Sequence, residues 1–403
     1  MPLLLVTWRD KLEALRSRIE IRRQRLGCVK ERDSGDGRRQ ETMMRDRQNG
    51  LAVRFQDLNL KCLNVPALLE AHPAMLFMSV MIALAVLFFL PASARAFSME
   101  LPVNCSGAEL CAPQNYFDHD PSPAYADYVC GPLSYDTHTG TDIRISYADM
   151  ERGVAVLAVA DGVVRAVRDG EPEGEISRRG KASVKGREAG NAVVVVHGKD
   201  FETQYSHLKR ASVAVRSGQH VRTGQVLGMV GLSGVTEFPH LEISVRHQGR
   251  SVDPYMGLVS GACGAPREAL WSRAALHSPV LAYRASGVLE AGFFDAPPTD
   301  SIALLRRHGW LEGRAGDPDV LVFGVQVFGP RSGDVWTLRL MGPDGQILAE
   351  SHTTQERHQA QAMRYVGKKK RAAWAPGRYR GEFRLLRPGE GEVVSVVRDI
   401  EVP

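Results

Sequence analysis

The sequence lacks a long apolar run, and over most of its length it lacks an excess of one charge. The longest apolar run, residues 75–90, has 16 residues, whereas a membrane-spanning helix needs roughly 20. Residues 1–74 hold 15 Lys or Arg and 10 Asp or Glu, and the other 329 residues hold 36 of each. The net charge of +5 therefore belongs to a basic N-terminal extension. Without a broad basic surface elsewhere, we expect no nucleic-acid partner.

The short apolar run is followed by an A-x-A pattern at residues 94–96. This arrangement predicts a secretory signal at residues 75–96, with cleavage after Ala96. The 74 preceding residues are unusual for a signal and leave two interpretations. Either the extension is disordered or untranslated, or the run is an uncleaved inner-membrane anchor with the basic segment kept inside. Under both interpretations the rest of the chain is exported and faces the periplasm.

Zinc-binding C-x₂-C pairs are also absent from the sequence. Four of the six cysteines follow the predicted signal: Cys105, Cys111, Cys130 and Cys263. An even number of cysteines in an oxidising compartment predicts two disulfides, with three possible connectivities. Free buried thiols are the alternative interpretation.

Patterns typical of long helices are scarce after residue 97, and short Val, Ala and Ile runs separated by glycines take their place. Such runs predict β-strands joined by tight turns, so the fold class is mainly β. The GPDGQ stretch at residues 342–346 is typical of a hairpin. The predicted segments are a loop-rich, disulfide-bearing lead-in (97–134), a compact antiparallel β domain (135–260) with a polar insert (168–190), a connector (261–317) and a small β-sandwich-like C-terminal domain (318–403).

Three clusters within residues 135–260 carry side chains suited to chemistry. In YDTHTGTDI, His138 and Asp142 lie four apart with Gly140 between them, which indicates a turn that can bring both zinc-type ligands together. In YSHL, Tyr205 and His207 lie two apart, and a histidine there could serve as a general base. Each cluster alone is equally compatible with ordinary strand or surface residues.

The third cluster is FPHLEIS, which contains His240 and Glu242. Positions two apart on a strand point to the same face, so this histidine and this carboxylate should lie side by side. They could complete a metal site or form a surface pair. Three such clusters in one β region favour the metal site.

The ordered set of motifs over residues 130–258 resembles the lysostaphin-type (LytM-like) zinc metalloendopeptidases, in their exported peptidoglycan-hydrolase branch. The resemblance rests on HTGTD, ADGVV, YSHL, the glycine-spaced run VRSGQHVRTGQVLGMVGLSG, and FPHLE. It implies a compact antiparallel β-sheet peptidase domain at residues 135–260, one bound Zn²⁺, and peptidoglycan as the substrate.

The resemblance also implies roles for individual residues. His138 and Asp142 would be zinc ligands, and His207 and His240 would be the catalytic base and the transition-state stabiliser, with Tyr205 at the substrate groove or transition state. The third ligand position, where the family has a histidine, is occupied by Glu242. Glutamate is a legitimate zinc ligand, but two carboxylates on one ion neutralise its charge and weaken its polarising power.

Two hypotheses follow for function. The first is a zinc endopeptidase that hydrolyses peptide cross-links of peptidoglycan. The second is a catalytically impaired member that binds the wall and regulates other murein hydrolases, with the C-terminal domain contacting further envelope proteins. A biotinyl or lipoyl carrier domain has similar glycine turns, but the sequence lacks the M-K-M type of motif that a carrier needs.

Overall fold

The computed structural model describes residues 97–258, 261–265, 267–307 and 309–403, together with a short antiparallel pair formed by Met44–Arg45 and Ala52–Val53. Residues 95–403 form one compact unit. Within the described residues, no helix is long and apolar enough to cross a membrane. The predicted signal and its cleavage after Ala96 lie outside the described residues.

Eleven short strands make up the first half of the described chain. In chain order they are β1 (Val103–Asn104), β2 (Cys111–Asn115), β3 (Gly140–Ile145), β4 (Ala155–Leu157), β5 (Gly162–Arg168), β6 (Asn191–His197), β7 (Phe201–Leu208), β8 (His220–Val221), β9 (Val226–Met229), β10 (His240–His247) and β11 (Arg250–Val252). The main sheet has the order β8-β5-β6-β7-β10-β3-β2, and β11 pairs with the far end of β10. Strands β9, β4 and β1 form a smaller second sheet. All pairings within these two sheets are antiparallel.

Four short helices and one 3-10 turn connect the strands. They are α1 (Tyr147–Arg152), α2 (Ile176–Arg179), the 3-10 turn Lys181–Val184, α3 (Arg273–Leu276) and α4 (Ser301–Leu305). Helix α1 begins at a capping box, in which Ser146 and Asp149 each satisfy a backbone N–H of the other. The polar insert predicted at residues 168–190 contains α2 and the 3-10 turn.

Alternation along β10 separates the core from the site. Leu241, Ile243 and Val245 are fully buried in the hydrophobic core, because positions two apart share a face. The same alternation turns His240 and Glu242 to the opposite face, as the sequence predicts. Each fully buried aliphatic side chain contributes about 1.5–3 kcal/mol of transfer free energy, so the core face fixes the register of the site face.

The C-terminal half contains seven longer strands in two sheets. They are β12 (Gly287–Phe294), β13 (Val320–Phe328), β14 (Val335–Met341), β15 (Ile347–Thr354), β16 (Gln361–Lys369), β17 (Gly377–Arg387) and β18 (Gly391–Val402). One sheet has the order β12-β13-β16 and the other the order β15-β14-β17-β18. Trp336, Phe323 and Phe383 are buried in one shared apolar cluster. The predicted hairpin at residues 342–346 joins β14 to β15.

Two predicted segment boundaries need correction. Strand β12 lies inside the predicted connector, yet it pairs with β13 along its length, so the C-terminal domain begins well before residue 318. The lead-in at residues 97–134 is also part of the first domain, because β1 and β2 belong to its two sheets. The sequence predicts the lead-in as loop-rich and helix and strand pieces within residues 264–300, but it does not assign those pieces to a domain.

Both predicted disulfides are present. Cys105 is bonded to Cys111, six residues away, and Cys130 is bonded to Cys263, 133 residues away. The second bond attaches the lead-in to the segment that follows β11. The sequence predicts the number of bonds, and the fold selects one of the three connectivities.

Candidate metal and catalytic site

Three strands of the main sheet bring the predicted residues together. Glu242 on β10 lies directly opposite Asp142 on β3 and opposite Ser206 on β7. His240 lies one alternate position along β10 from Glu242, on the same face. His138 precedes β3 in the turn that starts at Tyr135, whose carbonyl accepts the His138 N–H.

His138 and Asp142 present two unsatisfied polar atoms to each other. His138 Nε2 and Asp142 Oδ1 are buried, have no hydrogen-bond partner among the described residues and lie 3.4 Å apart. Buried polar atoms are normally paired, so a converging pair left open indicates space for a ligand. Ligand atoms about 2.0–2.2 Å from a tetrahedral zinc ion are roughly 3.3–3.6 Å apart. The separation of these two atoms fits that geometry.

The surroundings favour ionised Asp142. Burial alone would raise the pKa of the Asp142 carboxyl, but the charge of His138 and the hydrogen bond from Asn115 Nδ2 hold it well below its usual range. Burial would likewise lower the pKa of His138, but the charge of Asp142 outweighs it and raises that pKa. In the absence of a metal, the carboxylate and the imidazole therefore stabilise each other's charged forms.

Glu242 provides the third candidate metal-ligand atom. One atom each from His138, Asp142 and Glu242 lie within 4.8 Å of one another, and these three form the one such group found among the described residues. Gly140 makes room for the carboxylate: a Cβ at Gly140 would lie 2.9 Å from both Cγ and Oε1 of Glu242. The glycine predicted as a turn residue is thus the first residue of β3, and its missing side chain accommodates Glu242.

His207 reaches the site through an unusual backbone conformation. Its φ of 63° lies in the left-handed region and interrupts the alternation of β7. Its Nδ1 donates to the Ser233 carbonyl at 2.7 Å, and its Nε2 lies 3.1 Å from Glu242 Oε2. Burial would lower the pKa of His207, but the Glu242 carboxylate raises it. His207 and Glu242 therefore form an ion pair in this structure.

His240 is held in a different protonation state. Its Nδ1 lies 2.9 Å from the Phe238 carbonyl and 3.0 Å from Thr236 Oγ1, so Nδ1 carries the proton and donates it. Burial lowers the pKa of His240 to about 4, so the ring is neutral at pH 7. Its Nε2 lies 3.6 Å from Asp142 Oδ1 and keeps a free lone pair. The pKa values of the two catalytic candidates are thus shifted in opposite directions, down for His240 and up for His207.

Tyr205 does not lie on the face of the sheet that carries the site, in contrast to its predicted place at the substrate groove. Its side chain is fully buried opposite Ile243 on the core face. Its hydroxyl accepts the Val159 N–H at 2.9 Å and lies 3.2 Å from Thr203 Oγ1. The groove position followed from the family resemblance, but in the fold the left-handed conformation of His207 puts the two side chains on different faces.

Tyr135 is a site residue that the sequence motifs do not single out. Its ring stacks on His138 with centroids 4.2 Å apart, and 47% of the residue is exposed. Burial of the hydroxyl and the carboxylates of Asp142 and Glu242 raise the pKa of Tyr135 above its usual value. It stays a neutral hydrogen-bond donor beside the candidate metal ligands. The sequence feature that could have revealed Tyr135 is its position three residues before His138, in the stretch SYDTH.

Sequence comparison finds matches for part of the chain. Residues 136–254 match Peptidase family M23. The peptidoglycan DD-endopeptidase ShyA of Vibrio cholerae is 31% identical over 131 residues, which are 32% of this chain and 25% of that protein. The murein hydrolase activator EnvC of Escherichia coli is 42% identical over 65 residues, which are 16% of this chain and 15% of that protein.

Among solved structures, a zinc-containing peptidase from Vibrio cholerae is 27% identical, with a TM-score of 0.27 and coverage of 40% of this chain and 39% of that one. The chain spans about a quarter or less of the length of the curated relatives it matches. The matched segment contains all five predicted ligand and catalytic residues. Residues 136–254 therefore form a segment that matches Peptidase family M23.

Proposed function

We propose that this protein is a zinc-dependent endopeptidase that hydrolyses peptide cross-links of peptidoglycan. One observation carries the proposal: within the M23 domain, His138 Nε2 and Asp142 Oδ1 are buried, unpartnered and 3.4 Å apart. The similarity to a peptidoglycan DD-endopeptidase supports the substrate class. The endopeptidase activity and the zinc requirement are our inference from this geometry.

His138, Asp142 and Glu242 would hold the ion. Bound there, zinc would polarise a peptide carbonyl and lower the pKa of a coordinated water. Glu242 would have to turn its carboxylate away from His207, to which it is now hydrogen-bonded at 3.1 Å. Its side chain is 20% exposed, whereas that of Asp142 is 4% exposed, so Glu242 has the freedom to move.

The two remaining histidines would divide the proton chemistry, in the opposite order from the one that the family resemblance implies. His240 is neutral, and its Nε2 can accept a proton from an attacking water, as a general base does. His207, once released from Glu242, would direct its Nε2 toward the oxygen of a tetrahedral intermediate and, when protonated, would donate to it. Ser233 and Phe238 hold the two Nδ1 atoms, so both Nε2 atoms point into the site. Tyr135 lies at the open side and would contact the substrate.

The test compares wild type with Glu242→Ala and Glu242→His. Glu151→Ala is the matched control, because this glutamate is exposed on helix α1 and lies outside the candidate site. Zinc per chain and cleavage of purified peptidoglycan are measured together. We expect Glu242→Ala to lose both, Glu242→His to retain both, and the control to behave as wild type. Full zinc content and activity in Glu242→Ala would refute the assignment of this ligand.

The second candidate is a metal-free regulator of other murein hydrolases. The favouring observation is the ion pair between Glu242 and His207, which satisfies this part of the site without a metal. The similarity to a murein hydrolase activator supports it. Its signature would be less than a tenth of an equivalent of zinc, no cleavage by the purified protein, and faster cleavage when it is added to an active hydrolase.

For both candidates we propose export to the periplasm, either as a soluble protein or held at the inner membrane. The two disulfides among the described residues support this location. The similarity to a peptidoglycan DD-endopeptidase and to a murein hydrolase activator supports it as well. The C-terminal sandwich is a candidate surface for other envelope proteins. N-terminal sequencing of the exported protein tests cleavage after Ala96.

A further inference from the structure

We infer that the C-terminal sandwich positions His240, through a contact chain that runs from Gln361 to Arg144 and Phe238. Gln361 is the first residue of β16 in the sandwich, and Arg144 is the β3 residue directly opposite His240. The role assigned to His240 rests on the proposed function. The contact chain itself rests on the hydrogen bond from Arg144 to Gln361 and on the ring contacts of Phe238.

Arg144 is a buried charge held by amides. It is 2% exposed, and its Nη1 donates to Gln114 Oε1 at 2.6 Å and to Gln361 Oε1 at 3.0 Å. Burial lowers the pKa of Arg144 to about 9, so the guanidinium still carries its charge at neutral pH. No carboxylate of the described residues lies within ion-pair distance of it. A buried, uncompensated charge is costly, so each neutral acceptor has a large influence on where the guanidinium sits.

Phe238 connects this charge to His240. The guanidinium carbon of Arg144 lies 4.2 Å from the centroid of the Phe238 ring, in the geometry of a cation–π contact. The Phe238 and His240 rings are 4.9 Å apart, and the Phe238 carbonyl accepts the Nδ1–H of His240 at 2.9 Å. Arg144 therefore fixes the residue that sets the orientation and the tautomer of His240.

The same segment is held on its other side by a residue that follows α4. Arg306 Nη2 lies 2.7 Å from Glu175 Oε1, and the Tyr147 hydroxyl donates to the same oxygen at 2.8 Å. The N–H of Ile176, next to Glu175, donates to the Thr236 carbonyl at 2.9 Å. Helix α4 packs on the sandwich through Leu304. The segment from Thr236 to His240 thus lies between two contacts that originate in the C-terminal half.

Loss of the Gln361 acceptor should alter catalysis more than binding. Without it the guanidinium is free to shift toward Gln114, and Phe238 and the imidazole of His240 move with it. A displacement of about 1 Å at a catalytic group can reduce the rate roughly 100-fold. The metal ligands and Tyr135 are not part of this contact chain. We therefore expect a reduced kcat with an unchanged KM and unchanged zinc content.

The experiment uses the full chain with Gln361→Met, Gln361→Glu and the control Gln346→Met, an exposed glutamine in the β14–β15 turn. Methionine keeps the length and removes the acceptor, whereas glutamate keeps an acceptor. We expect kcat to fall roughly 10- to 100-fold in Gln361→Met. Gln361→Glu and the control should retain the wild-type kcat. Equal kcat in Gln361→Met and wild type would overturn the inference, and so would a parallel loss in Gln361→Glu.

A second measurement is independent of peptidase activity. The ¹⁵N shifts of the His240 imidazole report its Nδ1 hydrogen bond to Phe238. They should change in Gln361→Met and stay constant in Gln346→Met, and unchanged shifts in both would overturn the inference. An inactive wild type whose shifts respond to Gln361→Met would refute the proposed function while supporting the contact chain.

Discussion

Each half of the molecule contains a buried arginine, and the two are satisfied differently. In the sandwich, Arg387 makes a two-pronged ion pair with Asp334, at 2.9 Å from both Nε and Nη2. In the M23 domain, the Arg144 guanidinium donates to two amide oxygens and lies over an aromatic ring. The buried charge of Arg387 is thus neutralised by a carboxylate, whereas the buried charge of Arg144, on the residue opposite His240, is not. The two arginines therefore differ in whether a carboxylate compensates their buried charge.

Unpartnered polar atoms show the same contrast. Among the described residues of the sandwich, the unpartnered buried atoms include both amide atoms of Gln326 and nitrogen atoms of Arg331, His358 and Arg387, but no carboxylate oxygen. In the M23 domain, the unpartnered atoms of His138 and Asp142 come from two ionisable residues and converge. A single buried polar atom without a hydrogen-bond partner reduces the stability of the fold by about 1–3 kcal/mol. Because an imidazole nitrogen and a carboxylate oxygen converge here, His138 and Asp142 form a candidate ligand-binding site.

The largest effect that would sharpen this contrast is expected from His138→Ala. Removal of one of two unpartnered ligand atoms should reduce zinc below a tenth of an equivalent and abolish peptidoglycan cleavage. His352→Ala, at an exposed histidine of the sandwich, is the control and should leave both unchanged. Metal analysis and a cleavage assay measure the outcome. Normal zinc content in His138→Ala would place the metal elsewhere.

The next effect concerns the two disulfides, which both lie in the first half. In the chain-entropy treatment, the Cys130–Cys263 bond closes the longer loop and should contribute about 5 kcal/mol, and the Cys105–Cys111 bond about 2 kcal/mol. Each pair is replaced by serines, and unfolding in denaturant is followed. The larger loss should come from the Cys130 and Cys263 pair. Equal losses would show that loop length does not govern their contribution.

Asp334→Ala tests the buried ion pair of the sandwich. It leaves Arg387 as an uncompensated buried charge, so the free energy of unfolding should fall by about 3–5 kcal/mol. Asp399→Ala removes the partner of the exposed Arg380 and should cost about 0–1 kcal/mol. Chemical denaturation provides both values. A loss below about 1 kcal/mol in Asp334→Ala would remove the contrast between the two arginines.

The smallest effect is a pH dependence in the first half. Burial lowers the pKa of His197, whose Nδ1 lies 2.8 Å from the Asp161 carbonyl. The unfolded state therefore binds more protons than the folded state below the ordinary histidine pKa of about 6.5. The contribution of His197 is complete above that pH and is lost as the pH falls toward its folded pKa. Wild type should lose more stability than His197→Gln between pH 7 and pH 5 in parallel denaturation series.

The sequence predicts the β class, the number of disulfides and the residues of the candidate site, and the fold brings those site residues together. Alternation along β10 is enough to place His240 and Glu242 on one face. The disulfide connectivity was not predictable, because it depends on which distant segments meet. The sequence predicts strand pieces in the region of β12 but does not assign that strand to the sandwich, because its residues are buried on both faces at one end and do not alternate.

The position of Tyr205 shows where pattern arguments fail. Period two assigns Tyr205 and His207 to one face, and the assignment breaks at a single backbone dihedral angle that the sequence does not reveal. Tyr135 was missed for a related reason, since its stacking on His138 depends on the turn between them. Positions within regular strands were predictable here, and positions beside a left-handed residue were not.

The left-handed conformation of His207 also governs how this site can be engineered. A variant library at position 207 would sample two properties at once, because most side chains are strained at a φ of 63°. Alanine would remove the imidazole and also favour a different backbone, so its phenotype would combine two causes. Asparagine tolerates this conformation and lacks the ring. His207→Asn is therefore the substitution that separates the chemistry of the residue from the geometry of its strand.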